Sequence, residues 1–296
     1  MVRWSRDVRT RQKQLPGGLR VSNKLQRWAD RRSNPTRRRQ RIVATVAVML
    51  VGGAIASVVL ASTAEAKKPK KGKKKRTDCP DPTGGTLEGI TYQEIVTGGA
   101  DPNATLPMVI AFHGLGGAPK HMRPIVEKLE TKARVIIPQG IEPRGPNYAW
   151  WQEKSIGDQA VLTEGMARAS AKLAPFVKAL VECRPTQGKP IIAGQSQGGM
   201  VALLMASTQP QLIDRAIAGS AWLPKGMWRS GMAPALLIHG TKDNTVPFER
   251  TRDMVEELTT RGNDWELEVI DGHGHSFGGP LRAAWLAGIE NSHSER

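Results

Sequence analysis

From about residue 85 onward the sequence predicts an α/β domain, a mainly parallel sheet with helices covering both faces. Two observations carry that expectation. Short apolar runs alternate with helical patterns down the chain, as a sheet covered on both sides requires. One of these runs, Pro190 to Ala193, passes through a glycine-rich turn straight into a helical stretch, and the turn reads Gly194-Gln195-Ser196-Gln197-Gly198. That is G-x-S-x-G in strand–turn–helix context, a sharp turn that lifts its serine above the end of a strand.

The elements follow in order. Ile90 to Val96 reads as an edge strand. Pro107 to His113 reads as a buried strand running into Gly114-Leu115-Gly116-Gly117, and Pro119 to Glu130 has helical spacing. Ala133 to Pro138 is a further apolar strand. Gln139 to Asp158 reads as a long irregular loop carrying Trp150 and Trp151, and Gln159 to Glu182 as a helix. After the serine turn, 197–208 is helical. Strands are expected at Arg215 to Gly219, Ala233 to His239 and Glu266 to Ile270, with helices at 247–261 and 280–290. No internal repeat is visible.

The 296 residues carry a net charge of +16, which at first suggests nucleic acid as a partner. Its distribution argues otherwise. Residues 1–76 hold 22 Lys+Arg against 3 Asp+Glu, whereas 77–296 hold 21 against 24. The folded body is therefore mildly acidic, and no nucleic-acid partner is expected.

Four regions are expected: a basic N-terminal region, 1–41; a signal peptide or membrane anchor, 42–66; a basic disordered linker, 67–84; and a catalytic domain, 85–296. Ile42 to Ser62 is uncharged and long enough for a bilayer, which takes about 20 apolar residues. Ala64-Glu65-Ala66 resembles a signal-peptidase site. The chain is thus expected to be exported, in the periplasm or cell envelope or anchored to the membrane. The linker's Lys67 to Arg76 run is either a solvated, self-repelling spacer or a means of holding anionic lipid or envelope polymers. Cys79 and Cys183 are either one disulfide of an exported protein or two thiols. Neither lies in a ligand cluster, so no metal is expected.

A serine hydroxyl needs a base, and the base an orienting acid. The chain offers all three in the order Ser, Asp, His, each on a loop after a strand. Ser196 is followed by Asp243 in His239-Gly240-Thr241-Lys242-Asp243-Asn244-Thr245-Val246-Pro247, and then by His275 in Asp271-Gly272-His273-Gly274-His275-Ser276. Strand position does not separate His273 from His275. They are two residues apart, so in extended chain they face opposite ways. The oxyanion would be held by the backbone N–H groups of Gln197 and Leu115.

His113-Gly114-Leu115-Gly116-Gly117, Trp150-Trp151, the Gly194–Gly199 turn, His239-Gly240-x-x-Asp243 with Val246-Pro247, and Gly272-x-Gly274-His275 together resemble the phospholipase/carboxylesterase branch of the α/β hydrolases. That branch includes acyl-protein thioesterases and small carboxylesterases. The resemblance spans roughly 85–290. It implies an α/β-hydrolase fold and a cofactor-free serine hydrolase of carboxylic esters, thioesters or lysophospholipids. It places the base at His275 and the acyl pocket at Trp150 and Trp151, with Trp222 and Trp228 as further candidates. The expected partner is a small ester or acyl substrate. Two other classes use the same features, a serine peptidase or polyester depolymerase and a non-catalytic envelope binding protein.

Overall fold

The computed structural model describes residues 78–152 and 159–294. The basic N-terminal region, the segment 42–66 expected to be a signal peptide or anchor, and the Lys67–Arg76 run lie outside the described residues.

Among the described residues ten strands are formed: β1 (Gly84–Leu87), β2 (Ile90–Val96), β3 (Met108–Phe112), β4 (Arg134–Pro138), β5 (Glu142–Arg144), β6 (Asn147–Ala149), β7 (Ile191–Gln195), β8 (Arg215–Gly219), β9 (Ala235–Gly240) and β10 (Trp265–Ile270). The helices are α1 (Pro119–Val126), α2 (Gln159–Cys183), α3 (Gln197–Thr208), α4 (Phe248–Thr260) and α5 (Gly279–Ser294). Eight strands make one sheet in the order β1-β2-β4-β3-β7-β8-β9-β10. The run from β4 to β10 is parallel, and β1 and β2 add to it antiparallel.

Strand residues alternate between two apolar layers, as the pleat dictates. Val109, Ala111, Val135, Ile137, Ile191, Ala193 and Ile217 face the layer shared with Met122 of α1 and Trp285 of α5. Met108, Ile110, Phe112, Ile136, Ile192 and Ala218 face the other, with α2, α3 and α4. Strands β3, β4 and β7 are buried along their whole length. This explains their largely apolar sequences, and the one charge among them, Arg134 of β4, is paired with the buried Glu94. Helix α3 is buried from Gln197 to Ser207, so it too is apolar nearly all round.

Three features differ from the sequence reading. Ile90–Val96 is not the edge strand. The edge is β1, only four residues with two glycines, Gly84 and Gly85, too short and weak a strand pattern to register. The 139–158 loop contains a small antiparallel hairpin, β5–β6. Residues 78–84, assigned to the linker, belong to the folded unit. Cys79 is disulfide-bonded to Cys183 at the end of α2. Arg184 donates to the carbonyls of Pro80 and Asp81 at 2.8 and 2.9 Å while also holding the buried Glu94 carboxylate.

Candidate active site

The turn between β7 and α3 is as strained as its sequence implies. Ser196 has φ 55°, ψ −124°, a conformation rarely adopted by a non-glycine residue. The flanking glycines make room for it. A Cβ on Gly194 would lie 2.3 Å from the Gly198 carbonyl oxygen, and one on Gly198 only 2.2 Å from that of Phe112. The Ser196 amide is fixed by donation to the Gly219 carbonyl of β8 at 2.8 Å.

Three side chains from separate loops meet at this point. Ser196 Oγ lies 2.9 Å from His275 Nε2, and His275 Nδ1 lies 2.8 Å from Asp243 Oδ2. The carboxylate only accepts, so Nδ1 carries the hydrogen and Nε2 is left free to accept the serine proton. Asp243 is buried, and its other oxygen accepts the amides of Thr245 and Val246 at 2.9 and 2.8 Å. Burial pushes its carboxyl pKa upward, but the Val246 amide, His275 and the Thr245 amide outweigh it, and the net shift is downward. The structure thus joins Ser196, Asp243 and His275 and leaves His273 outside. The His273 ring Nε2 sits 2.9 Å from the Ser276 carbonyl, to which it donates.

The loop after β3 lies against the serine. A Cβ on Gly114 would be 3.5 Å from Ser196 Cβ, so the peptide that joins Gly114 to Leu115 starts beside the nucleophile. Among the described residues, neither the Leu115 nor the Gln197 amide has a protein acceptor. Gln197 N–H opens α3, where the first amides have no intrahelical partner. Two such donors beside a nucleophile can hold a developing oxyanion.

Several residues that shape the site were not singled out as functional from sequence. His113 is buried, and its Nε2 accepts the Gly140 amide at 3.0 Å, so Nδ1 carries the hydrogen and donates to the Gly114 carbonyl at 2.8 Å. Burial lowers its pKa to about 4. This neutral ring fixes the first peptide of the Leu115 loop. The Gly117 carbonyl accepts the Tyr148 amide at 2.9 Å, tying the same loop to the hairpin. Gln195 reaches the other way, donating from Nε2 to the His275 carbonyl at 3.2 Å. His113 stood in a quoted motif, but no spacing rule discloses what its ring holds.

Trp150 and Trp151 require a correction. Both were expected to line an acyl pocket, yet they are 0 % and 2 % exposed. Trp150 packs edge-on against Phe112 at 5.0 Å and donates from Nε1 to the His113 carbonyl at 2.8 Å. Trp151 lies against Gly165 of α2. They are core residues that fasten the loop, because the apolar face of each indole is already covered. Trp228 is likewise buried, with Nε1 donating to the Leu223 carbonyl. Trp222 is only partly buried, with Arg250 5.0 Å over its ring. A cavity of about 180 Å³ between β2, the β5–β6 hairpin and Lys172 contacts none of Ser196, Asp243 or His275. Among the described residues, no cluster of three or more His, Cys, Asp or Glu could hold a metal, and no helix is long and apolar enough to cross a membrane.

A mostly parallel eight-stranded sheet with a serine turn after a central strand defines an α/β hydrolase. The chain belongs to the phospholipase/carboxylesterase family, whose model matches residues 91–280. It is therefore a hydrolase of the esterase and thioesterase class. It is similar to acyl-protein thioesterase 1 of Gibberella zeae, 24 % identical over 194 residues, covering 57 % of this chain and 83 % of that one. It is also similar to esterase YpfH of Escherichia coli, 26 % identical over 182 residues, covering 57 % and 76 %. Among solved structures, esterase PE8 superposes with a TM-score of 0.60 at 22 % identity, covering 68 % of this chain and 98 % of its own. A carboxylesterase from Mesorhizobium loti gives 0.58 at 16 % identity, covering 72 % and 100 %. At such identities the two structures speak for the fold.

Proposed function

We propose that this protein is an exported serine carboxylesterase that works through a Ser196–His275–Asp243 triad and an acyl-enzyme. The observation that carries the reading is the unbroken hydrogen-bonded line from Ser196 Oγ through the His275 ring to Asp243. As Ser196 Oγ bonds to the carbonyl carbon, its proton passes to His275 Nε2, and Asp243 steadies the resulting imidazolium. The carbonyl oxygen takes up the negative charge and is held by the Leu115 and Gln197 amides. Collapse breaks the bond to the leaving oxygen or sulfur, which departs with the proton from His275. Water then repeats the sequence on the acyl-serine, releasing the acid and restoring Ser196.

Carboxylic esters, including thioesters, are the substrate class that the esterases and thioesterase among the relatives favour. The Cys79–Cys183 disulfide supports export, since such bonds persist in oxidising compartments. Outside the cytoplasm, the Lys67–Arg76 run would meet anionic lipid head groups or envelope polymers.

The test uses p-nitrophenyl esters of rising acyl length, a thioester and a peptide amide with the purified chain. Hydrolysis of esters and a fluorophosphonate adduct on Ser196 are expected, both lost in Ser196→Ala. Amide cleavage exceeding ester cleavage would make the protein a peptidase, and an unlabelled, inactive chain would make it a binding protein. For location, a periplasm-active reporter fused after Arg76 should be active. A reporter active only in the cytoplasm would reject export.

A further inference from the structure

His239 lies in β9, four residues before Asp243, and is completely buried. Its Nε2 is 2.9 Å from the Val246 carbonyl oxygen and 3.2 Å from Asp243 Oδ2. A carbonyl only accepts, so Nε2 carries the hydrogen and Nδ1 is bare. That Nδ1 has no polar partner among the described residues. Protonating it would bury an unpaired N–H together with a charge. Desolvation accordingly lowers the ring's pKa, against the opposing pull of the Val246 carbonyl and Asp243. The titratable groups facing the ring are Asp243 on the following loop and His275 on the loop after β10. Phe248 of α4 closes one side edge-on at 6.0 Å.

These contacts form a closed ring around the carboxylate. His239 N–H holds the Val246 carbonyl. Val246 N–H holds Asp243 Oδ1 at 2.8 Å. Asp243 Oδ2, the oxygen that faces His275, lies against His239 again. One imidazole therefore grips the turn that fixes one carboxylate oxygen and sets its N–H edge against the other.

We propose that His239 is a positioning residue for Asp243, holding the carboxylate in line with His275 through the Val246 peptide and its own Nε2–H edge. The proposal rests on the triad reading above. It gives His239 a task in turnover beyond filling the core.

The test is a double-mutant cycle in the full chain, because residues coupled through one another show non-additive effects. His239→Leu should lower kcat about tenfold, the scale of one lost polar interaction in the transition state, with KM within about twofold. His239→Gln, which keeps an N–H at comparable reach, should recover most of the loss. In an Asp243→Ala background, His239→Leu should change the rate less than about twofold, because no carboxylate remains to be positioned. Should His239→Leu fail to fold, His239→Asn replaces it in the same cycle, since its amide stops short of Val246. Wild-type turnover in His239→Leu beside a crippled Asp243→Ala would overturn the proposal and leave the triad standing. An equal loss in both backgrounds would also overturn it, since His239 would then act on something other than Asp243. Wild-type turnover in Asp243→Ala would overturn the triad and the proposal together.

Discussion

The side-chain carbonyl of Gln197 accepts the backbone N–H of Trp150 at 2.9 Å. The amide of the same side chain donates to the Trp151 carbonyl at 3.0 Å. The residue that follows the nucleophile thus satisfies two buried backbone groups of a loop some 46 residues away in sequence. Its own backbone N–H remains available to an oxyanion.

Gln197→Leu should therefore injure both fold and rate. It strands the Trp150 N–H and the Trp151 carbonyl, at about 1–3 kcal/mol for each buried group. Urea midpoints should fall accordingly. The loosened turn should lower kcat by about 10- to 100-fold, less than the roughly 10²–10³ that outright loss of an oxyanion donor costs, with little change in KM. Unchanged kcat in a destabilised variant would separate the side chain from the chemistry.

Trp150→Ala tests whether the indole packs the core or lines an acyl pocket. Deleting a buried indole should cost about 3–5 kcal/mol, read by urea unfolding. The preference for acyl length should stay as in the wild type, since neither face of the ring is open to a substrate. A marked shift in chain-length preference would return Trp150 to the pocket.

The serine turn was legible because its geometry forces its composition: Gly194 and Gly198 are the residues that a 2.2–2.3 Å approach allows. The Asp243 loop and the loop carrying His273 and His275 were legible from chain order, whereas the choice of His275 over His273 came from the family resemblance. Less visible were contacts in which an ordinary side chain grips a distant backbone, as Gln197 does at Trp150 or His113 at Gly140. Such bonds join positions far apart in sequence and leave no period to read. The indoles misled because exposed and buried tryptophans look alike in a loop. The β1 strand escaped because four residues with two glycines carry little strand pattern.

Stability should fall between about pH 6.5 and pH 4. His113 has its pKa lowered to about 4 in the folded chain and an ordinary value near 6.5 when unfolded. In that window the unfolded chain binds a proton that the folded chain refuses, so ν_U exceeds ν_N and stability rises with pH. No penalty remains above the window. The full effect approaches about 3 kcal/mol at its lower end. His239, also lowered by burial, adds in the same direction. The downward-shifted Asp243 loses its contribution only below the ordinary carboxylate range. Urea melts at pH 7, 6 and 5 should show the fall, and His113→Gln should flatten the slope. A slope unchanged in that variant would assign the titration elsewhere.

Reducing the disulfide should weaken the fold more than the chemistry. Cys79 and Cys183 are 104 residues apart, and closing a loop of that size restricts the unfolded chain by about 4–5 kcal/mol in the loop-entropy model. The paired Cys79→Ala/Cys183→Ala variant should lower the urea midpoint while its folded fraction hydrolyses soluble esters at a near wild-type rate. A large loss of kcat at full folding would tie the 78–84 segment to the site.

The two loop histidines give the sharpest division. His275 Nε2 faces Ser196 Oγ at 2.9 Å, whereas His273 Nε2 donates to the Ser276 carbonyl on its own loop. His275→Ala removes the only group within reach that can take the serine proton among the described residues, so turnover should fall about 10³-fold or more. His273→Ala removes one exposed hydrogen bond at a loop tip, where the net contribution is about 1 kcal/mol, and turnover should stay within about fivefold of wild type. The Lys242 amide also holds this loop, through the His273 carbonyl at 2.8 Å, and that bond survives the change. Parallel kcat measurements on one soluble ester decide between them. If His273→Ala were inactive and His275→Ala active, the base would be His273, and the geometry at Ser196 would have to change before reaction. If both kept wild-type turnover, the triad mechanism itself would fall.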